Sequence, residues 1–350
     1  MRKMATIRVV DGIAPIDGAD AIETALIGGW KVVVKKGEFT VGDLAVYLEI
    51  DSWVPTELAP FLSKGKEPRE FNGVKGERLR TVKLRGQISQ GLLLPVTQFD
   101  ETRCMLPQVQ VELGDFTTGS KMVYIGDDVT EALGIIKWER PMNAQLAGMA
   151  RGNFPSVIPK TDQERVQNLV KEIAASVNLQ FEVTEKLEGS SMTCYLIDGV
   201  FGVCSRNLDL KETADNTFWQ VARKEQIEEK MRACGDGDWA IQGELIGPGI
   251  QGNIYNLSNP EFHVFDVYNI QAGDYLMPVY RRALIDRMGL KHVPVLNEYK
   301  LLHDVEAILS WADGASNIGV GPLREGIVFK QIDGGMTFKA ISNKYLLGEK

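Results

Sequence analysis

The sequence predicts an α+β protein of two domains, a small β-barrel followed by an antiparallel-sheet domain. Three observations carry this expectation. The chain has 350 residues, and roughly 100–200 residues per domain makes that two. Residues 1–141 hold short apolar runs separated by Gly and Asp, the mark of a small all-β unit. Helical periodicity enters only after them, alternating with strand-like runs. The composition, 44% hydrophobic and 25% charged, excludes a disordered tail, a collagen or a coiled coil. No apolar run approaches the roughly 18 residues that span a bilayer, and Met1–Thr6 has no signal-peptide core. A cytoplasmic protein without membrane contact is expected.

In the first part, Thr6–Val10, Lys31–Val34, Leu44–Ile50, Leu79–Leu84 and Leu92–Pro95 read as strands of an OB-like barrel. Asp128–Lys137 reads as a short closing helix. A Gly- and Pro-punctuated stretch up to Pro159 reads as the joint. The second part, 142–350, opens with a predicted helix. Thr161-Asp162-Gln163-Glu164 has capping-box spacing. Val166, Leu169, Val170, Ile173, Ala174 and Val177 then form one apolar stripe. Strands are expected at Phe181–Glu185, Met192–Ile197, Phe201–Ser205, Trp239–Ile246, Phe262–Tyr268, Gly326–Gln331 and Met336–Ile341, with a polar helix near Asn216–Cys234.

Net charge is −8, which excludes a bulk polycation but leaves room for a local basic surface. One exists on paper. Lys64, Lys66, Arg69, Lys75, Arg78, Arg80, Lys83 and Arg85 share a stretch with only Glu67, Glu70 and Glu77. Arg78, Arg80, Lys83 and Arg85 are the candidate nucleic-acid contacts, brought together by a bulge or turn near Thr81. The cysteines, Cys104, Cys194, Cys204 and Cys234, are at least ten residues apart, and the histidines are only His263, His292 and His303. Neither a disulfide scaffold nor a zinc site is expected.

The chemistry-bearing residues lie in the second part. Lys186 ends a strand-like run and is followed by Leu187-Glu188-Gly189. Ser205-Arg206-Asn207 comes next. Glu244 sits inside an apolar strand, Phe262–Asp266 is an aromatic strand, and Glu325 opens Gly326-Ile327-Val328-Phe329-Lys330. Phe338-Lys339 closes the series. Singly these are common; in this order they are not.

The ordered set resembles the covalent nucleotidyltransferase superfamily of polynucleotide ligases and capping enzymes, whose catalytic domain is ATP-grasp-like. With a barrel ahead of that domain, the chain resembles the branch of ATP-dependent RNA ligases with an N-terminal OB domain. The resemblance implies an enzyme that joins 3′-OH and 5′-phosphate RNA ends, typically at nicks in a duplex, through a lysyl-AMP and an adenylylated 5′-end. It implies ATP and Mg²⁺ or Mn²⁺ as cofactors, RNA as partner, and action as a monomer. By motif, Lys186 is the nucleophile and Lys339 its catalytic helper. Glu185, Glu188, Arg206, Glu244, Phe262, Lys330, Lys339 and Arg165 fall on the nucleotide. Glu188, Glu244 and Glu325 form the metal shell. Phe262 or Phe265 stacks on the purine and Ile327 closes its other face. The second lysine of the usual Lys-x-Lys motif is Ile341 here, with Lys344 nearby. The alternatives are a DNA ligase, a capping-type enzyme, or a non-catalytic RNA-binding protein.

Overall fold

A computed structural model describes residues 2–96, 110–112, 115–117, 124–139, 148–235, 237–301, 304–319 and 321–349. Cys104, His303 and residues 140–147 of the joint lie outside them. The chain divides into two compact units, Met1–Arg140 and Pro141–Lys350.

The first unit is built of small antiparallel sheets. Ala5–Val9, Leu44–Leu48 and Leu92–Pro95 form one, with Leu44–Leu48 central. Gly12–Pro15, Ile22–Ile27 and Trp30–Lys35 form a meander. Ser52–Pro55 and Val74–Arg78 are the middle pair of a third sheet, edged by Ile136–Lys137 and Arg69–Phe71. Met4, Ile7, Val46, Leu48, Val54, Leu79 and Leu94 supply the core. Two expectations fail. Leu79–Leu84 is not one strand: the chain leaves the sheet after Arg78 and re-pairs as a hairpin of Val82–Leu84 with Gln87–Ser89. Arg85 (φ 49°) and Gly86 (φ 83°) make its turn, the left-handed pair that a two-residue hairpin loop requires. Nor is Asp128–Lys137 a helix. Turns closed by Leu133 N–H to Val129 O and Ile135 N–H to Thr130 O lead into the edge strand Ile136–Lys137.

Among its described residues the second unit holds two sheets. The larger runs Ala150–Asn153, Leu208–Leu210, Val200–Cys204, Ser190–Ile197, Trp239–Ile246, Glu261–Asn269 and Asp274–Tyr275. Helices Thr217–Lys224 and Ile227–Cys234 pack on one face of it, around Met192, Cys194, Phe218, Met231 and Leu245. The predicted single helix breaks at Gln226, which has φ 53°. The smaller sheet runs Glu164–Arg165, Thr337–Ile341, Gly326–Gln331, Gln180–Lys186 and Val295–Lys300. Phe181, Val183, Ile327, Phe329, Phe338 and Ala340 face its core together with Ile308 of helix Val305–Ala312.

The opening helix is shorter than its stripe predicts. Thr161–Glu164 caps nothing: Glu164 and Arg165 pair in parallel with Phe338 and Lys339. Only Val170–Ala175 is α-helical. Backbone bonding to the sheet takes the residues that a capping box would have used.

Candidate active site

Strand alternation decides which side chains meet. In the small sheet Phe181 and Val183, Ile327 and Phe329, and Phe338 and Ala340 all face the core. Their alternates therefore share the opposite face: Lys186, Thr184 and Glu182; Val328 and Lys330; Lys339. Lys186 lies opposite Gly326, and Val328 lies between Thr184 and Lys339. Arg165 is beside Lys339. In the large sheet the same argument puts Ser191, Thr193, Gln242 and Glu244 opposite the helix-covered core, with Ser191 paired to Glu244.

The two sheets meet at Lys186. Its Nζ is 2.7 Å from Glu325 Oε2. Burial works against the charge, but Glu325 and Glu244 outweigh it and hold the amine above its ordinary range. Arg165 opposes them. Burial pushes the Glu244 carboxyl up to about 8, with Lys186 opposing and Glu325 reinforcing. Glu325 and Glu244 thus share one ammonium, and a divalent cation would compete with that ammonium and with the Glu244 proton for the two carboxyl groups.

Two glycines set the spacing. A Cβ on Gly189 would lie 2.3 Å from Leu245 O and 2.9 Å from Glu244 Cγ. One on Gly326 would lie 2.2 Å from Ala340 O. Gly189 is needed for this close approach.

Arg206 is close enough to Glu244 to favour its ionised form, and its Nη2 lies 2.8 Å from Asp162 Oδ2. A cleft that includes Ser191, the strand partner of Glu244, is lined by Phe154, Lys160, Thr161, Asp162, Ser191, Thr193, Arg206 and Gln242.

Several expected site residues are placed elsewhere. The Glu185 carboxylate accepts from Ser316 Oγ at 2.5 Å and from Asn317 N–H at 2.8 Å, off the Lys186 face. Phe262 is 3% exposed in the large-sheet core, against Gly243. Ile327 is core as well, so Val328 is the residue presented to the Lys186 face. A bulge between Gln242 and Gly243 shifts the register and leaves Phe265, next to Leu187, on the reactive side. The three-carboxylate shell is not assembled: among the described residues no group of three or more His, Cys, Asp or Glu could hold a metal. Glu188 Oε1 instead accepts from Gly252 N–H at 3.4 Å. In the first unit, Arg78 pairs with Asp51 at 2.6 Å and stacks on Trp138 at 3.6 Å. Its guanidinium is therefore committed within the fold, while Arg80, Lys83 and Arg85 are exposed.

Lys330 also leaves the nucleotide set. It pairs with Glu182, four residues along the strand from Lys186. Its Nζ lies 2.6 Å from both Asp266 Oδ1 and Phe265 O. Buried Arg281 adds an ion pair to Glu182, lies 3.6 Å from Asp266, and donates to His292 Nε2 at 3.0 Å. Burial drives the Lys330 amine down to about 8, with Asp266 opposing. This is a buried strut between the two sheets. Lys330→Met should lower unfolding free energy in urea by about 3–5 kcal/mol, because Asp266 loses its nearest cation. Lys330→Met with Asp266→Leu should recover most of that. Full stability in the single variant would refute the strut.

A family model for an OB-fold domain matches residues 4–96, and one for RNA ligase matches residues 179–345. No curated protein matches the chain. Among solved structures, a Naegleria gruberi RNA ligase mutant in the apo state is 45% identical, with TM-score 0.89, covering 99% of this chain and 98% of that one. The same ligase with pyrophosphate is 46% identical, with TM-score 0.88, over 99% and 98%. A lysine-to-alanine mutant of it with ATP and Mn is 45% identical, with TM-score 0.88, over 98% of each chain. At that identity over almost the whole length, with the OB-fold unit ahead of the sheets that carry Lys186, Glu244 and Glu325, the chain belongs to the RNA ligase family.

Proposed function

We propose that this chain is an ATP-dependent RNA ligase that seals 3′-OH to 5′-phosphate ends, at nicks, through a lysyl-AMP on Lys186. The observation that carries the reading is the Lys186 ammonium held 2.7 Å from Glu325 at a strand end beside Glu244. Related ligase structures hold ATP with Mn, AMP with Mn, and pyrophosphate, the substrate and products of such a transfer.

Lys186 attacks the α-phosphorus and expels pyrophosphate; AMP passes to the RNA 5′-phosphate; the 3′-OH then displaces AMP. The attack requires a neutral amine, and the carboxylates that keep it charged are the ones a cation would occupy. Glu244 and Glu325 would hold Mg²⁺ or Mn²⁺ otherwise ligated by water and phosphate, which supplies neutralisation of phosphoryl charge. Lys339 and Arg165 face the developing charge. Phe265 and Val328 are the apolar walls available to a purine. Arg206 offers its guanidinium fork to ribose or phosphate.

A mass spectrum of the protein with ATP and Mg²⁺ tests the reading. One added AMP is expected, and none with the cation chelated. Nicks with an RNA or a DNA 3′-OH end then identify the acceptor. Unmodified protein after incubation would refute the lysyl-AMP.

The OB-fold unit is assigned to duplex grip, through Arg80, Lys83 and Arg85 on and beside the exposed hairpin. Neutralising these three should weaken nicked-duplex binding and flatten its salt dependence by up to about three units of slope. Adenylylation should be unchanged. Unaltered affinity and slope would remove the hairpin from the RNA surface. Arg78→Ala belongs to a different class, since it breaks the Asp51 pair and the Trp138 stack.

A further inference from the structure

The turn that carries Lys186 is held from both flanks. On one side Glu185 is fixed by Ser316 and Asn317. On the other, Glu188 N–H donates to Tyr255 Oη at 2.6 Å. Tyr255 is 2% exposed, its ring packed with Leu187, Ile246 and Val293. Its own backbone is pinned in turn. A Cβ on Gly319 would lie 2.6 Å from Tyr255 O, so the loop that holds Glu185 also backs Tyr255. The segment between Glu244 and the aromatic strand has a costly backbone, with positive φ at Gln251, Asn253 and Asn256. Asn253 stabilises it by exchanging side-chain hydrogen bonds with Leu257 N–H and O, both at 3.1 Å. Unusual backbone of this kind persists where the surroundings impose it.

We propose that Tyr255 is a positioning residue for the Lys186 nucleophile: its buried hydroxyl accepts the Glu188 amide and so fixes where the lysine turn places the amine. The proposal rests on the lysyl-AMP reading and adds to it a residue that touches neither ATP nor metal. Burial, reinforced by Glu325, Glu185 and Glu188, holds the hydroxyl far above its ordinary pKa, so it stays neutral. A neutral acceptor adds no charge beside the carboxylates that must bind a cation. Removing it leaves the partly buried Glu188 N–H without its acceptor, and the segment that relaxes to satisfy it is the one bearing the nucleophile.

The test is Tyr255→Phe in the full-length protein, which keeps the ring and its packing. Single-turnover lysyl-AMP formation at saturating ATP should fall about tenfold, the effect of one lost buried acceptor. KM for ATP should stay within about twofold, because an interaction that acts on reactive geometry alone changes kcat. Sealing of a nick supplied already adenylylated at its 5′-end does not use the Lys186 amine, so its rate should be unchanged. Equal losses in adenylylation and in this last step would make Tyr255 merely structural and overturn the proposal. An unchanged adenylylation rate would overturn it too. Amide hydrogen exchange at Glu188 in the wild-type protein is a check that needs no variant: strong protection is expected, and exchange at open-loop rates would sink the clamp. Failure of the underlying reading is seen separately, as wild-type protein that takes up no AMP.

Discussion

Lys186→Ala protein incubated with ATP and Mg²⁺ should show no mass increase, while its urea unfolding midpoint stays close to wild type. The side chain is 26% exposed, so little packing is lost. Lys186→Arg should fail as completely. Guanidinium keeps its proton near neutral pH, and its Glu325 partner would stabilise that charge further. The arginine variant thus separates need for a positive charge from need for a nucleophile. AMP attached to either variant would move the reactive residue elsewhere.

Glu325→Ala and Glu244→Ala should each slow single-turnover adenylylation by about a hundredfold, equivalent to roughly 3 kcal/mol of transition-state stabilisation. Raised Mn²⁺ should restore only part of it. The two variants should differ in pH response. The Glu244 carboxyl titrates at about 8 in the cation-free protein, so below that pH a cation must displace a proton to bind it. Cation affinity should therefore climb with pH and level off above about 8 in the wild type. In Glu244→Gln that component of the climb should vanish, and in Glu325→Ala it should shift, since Glu325 is one of the groups raising Glu244. Wild-type rates in both alanine variants at ordinary Mg²⁺ would dismiss the carboxylate pair as the cation's ligands.

Much of the fold was legible. Trp239–Ile246, Gly326–Gln331 and Leu92–Pro95 fall where apolar runs end at turn residues, because burial alone fixes such strands. Legibility failed where long-range pairing competes with local signals. Glu164 looks like the end of a capping box, yet it bonds to a strand more than 170 residues away. The site was legible as chemistry but not as facing. Lys186, Glu244 and Glu325 converge because they sit at strand ends or on the reactive face. Glu185, Phe262 and Ile327 are one residue from a position that would face it, and the side is decided by register and by the bulge at Gln242 and Gly243. The order of residues contains neither. Tyr255 was missed because its segment has no periodicity and its hydroxyl meets a backbone amide 67 positions away.

Gly189 and Gly326 have a bearing on protein engineering. Glycine-to-alanine exchange is a standard stabilising move, worth about 0.4–1 kcal/mol where the native backbone accepts a methyl group. At these two positions the methyl carbon would sit 2.3 Å and 2.2 Å from carbonyl oxygens of neighbouring strands. The gap between the lysine turn and the Glu244 strand is maintained by a missing atom, so no added contact can reinforce it. A programme to raise heat tolerance in this enzyme has to leave both glycines alone and work on the first unit's surface or on the exposed helix faces.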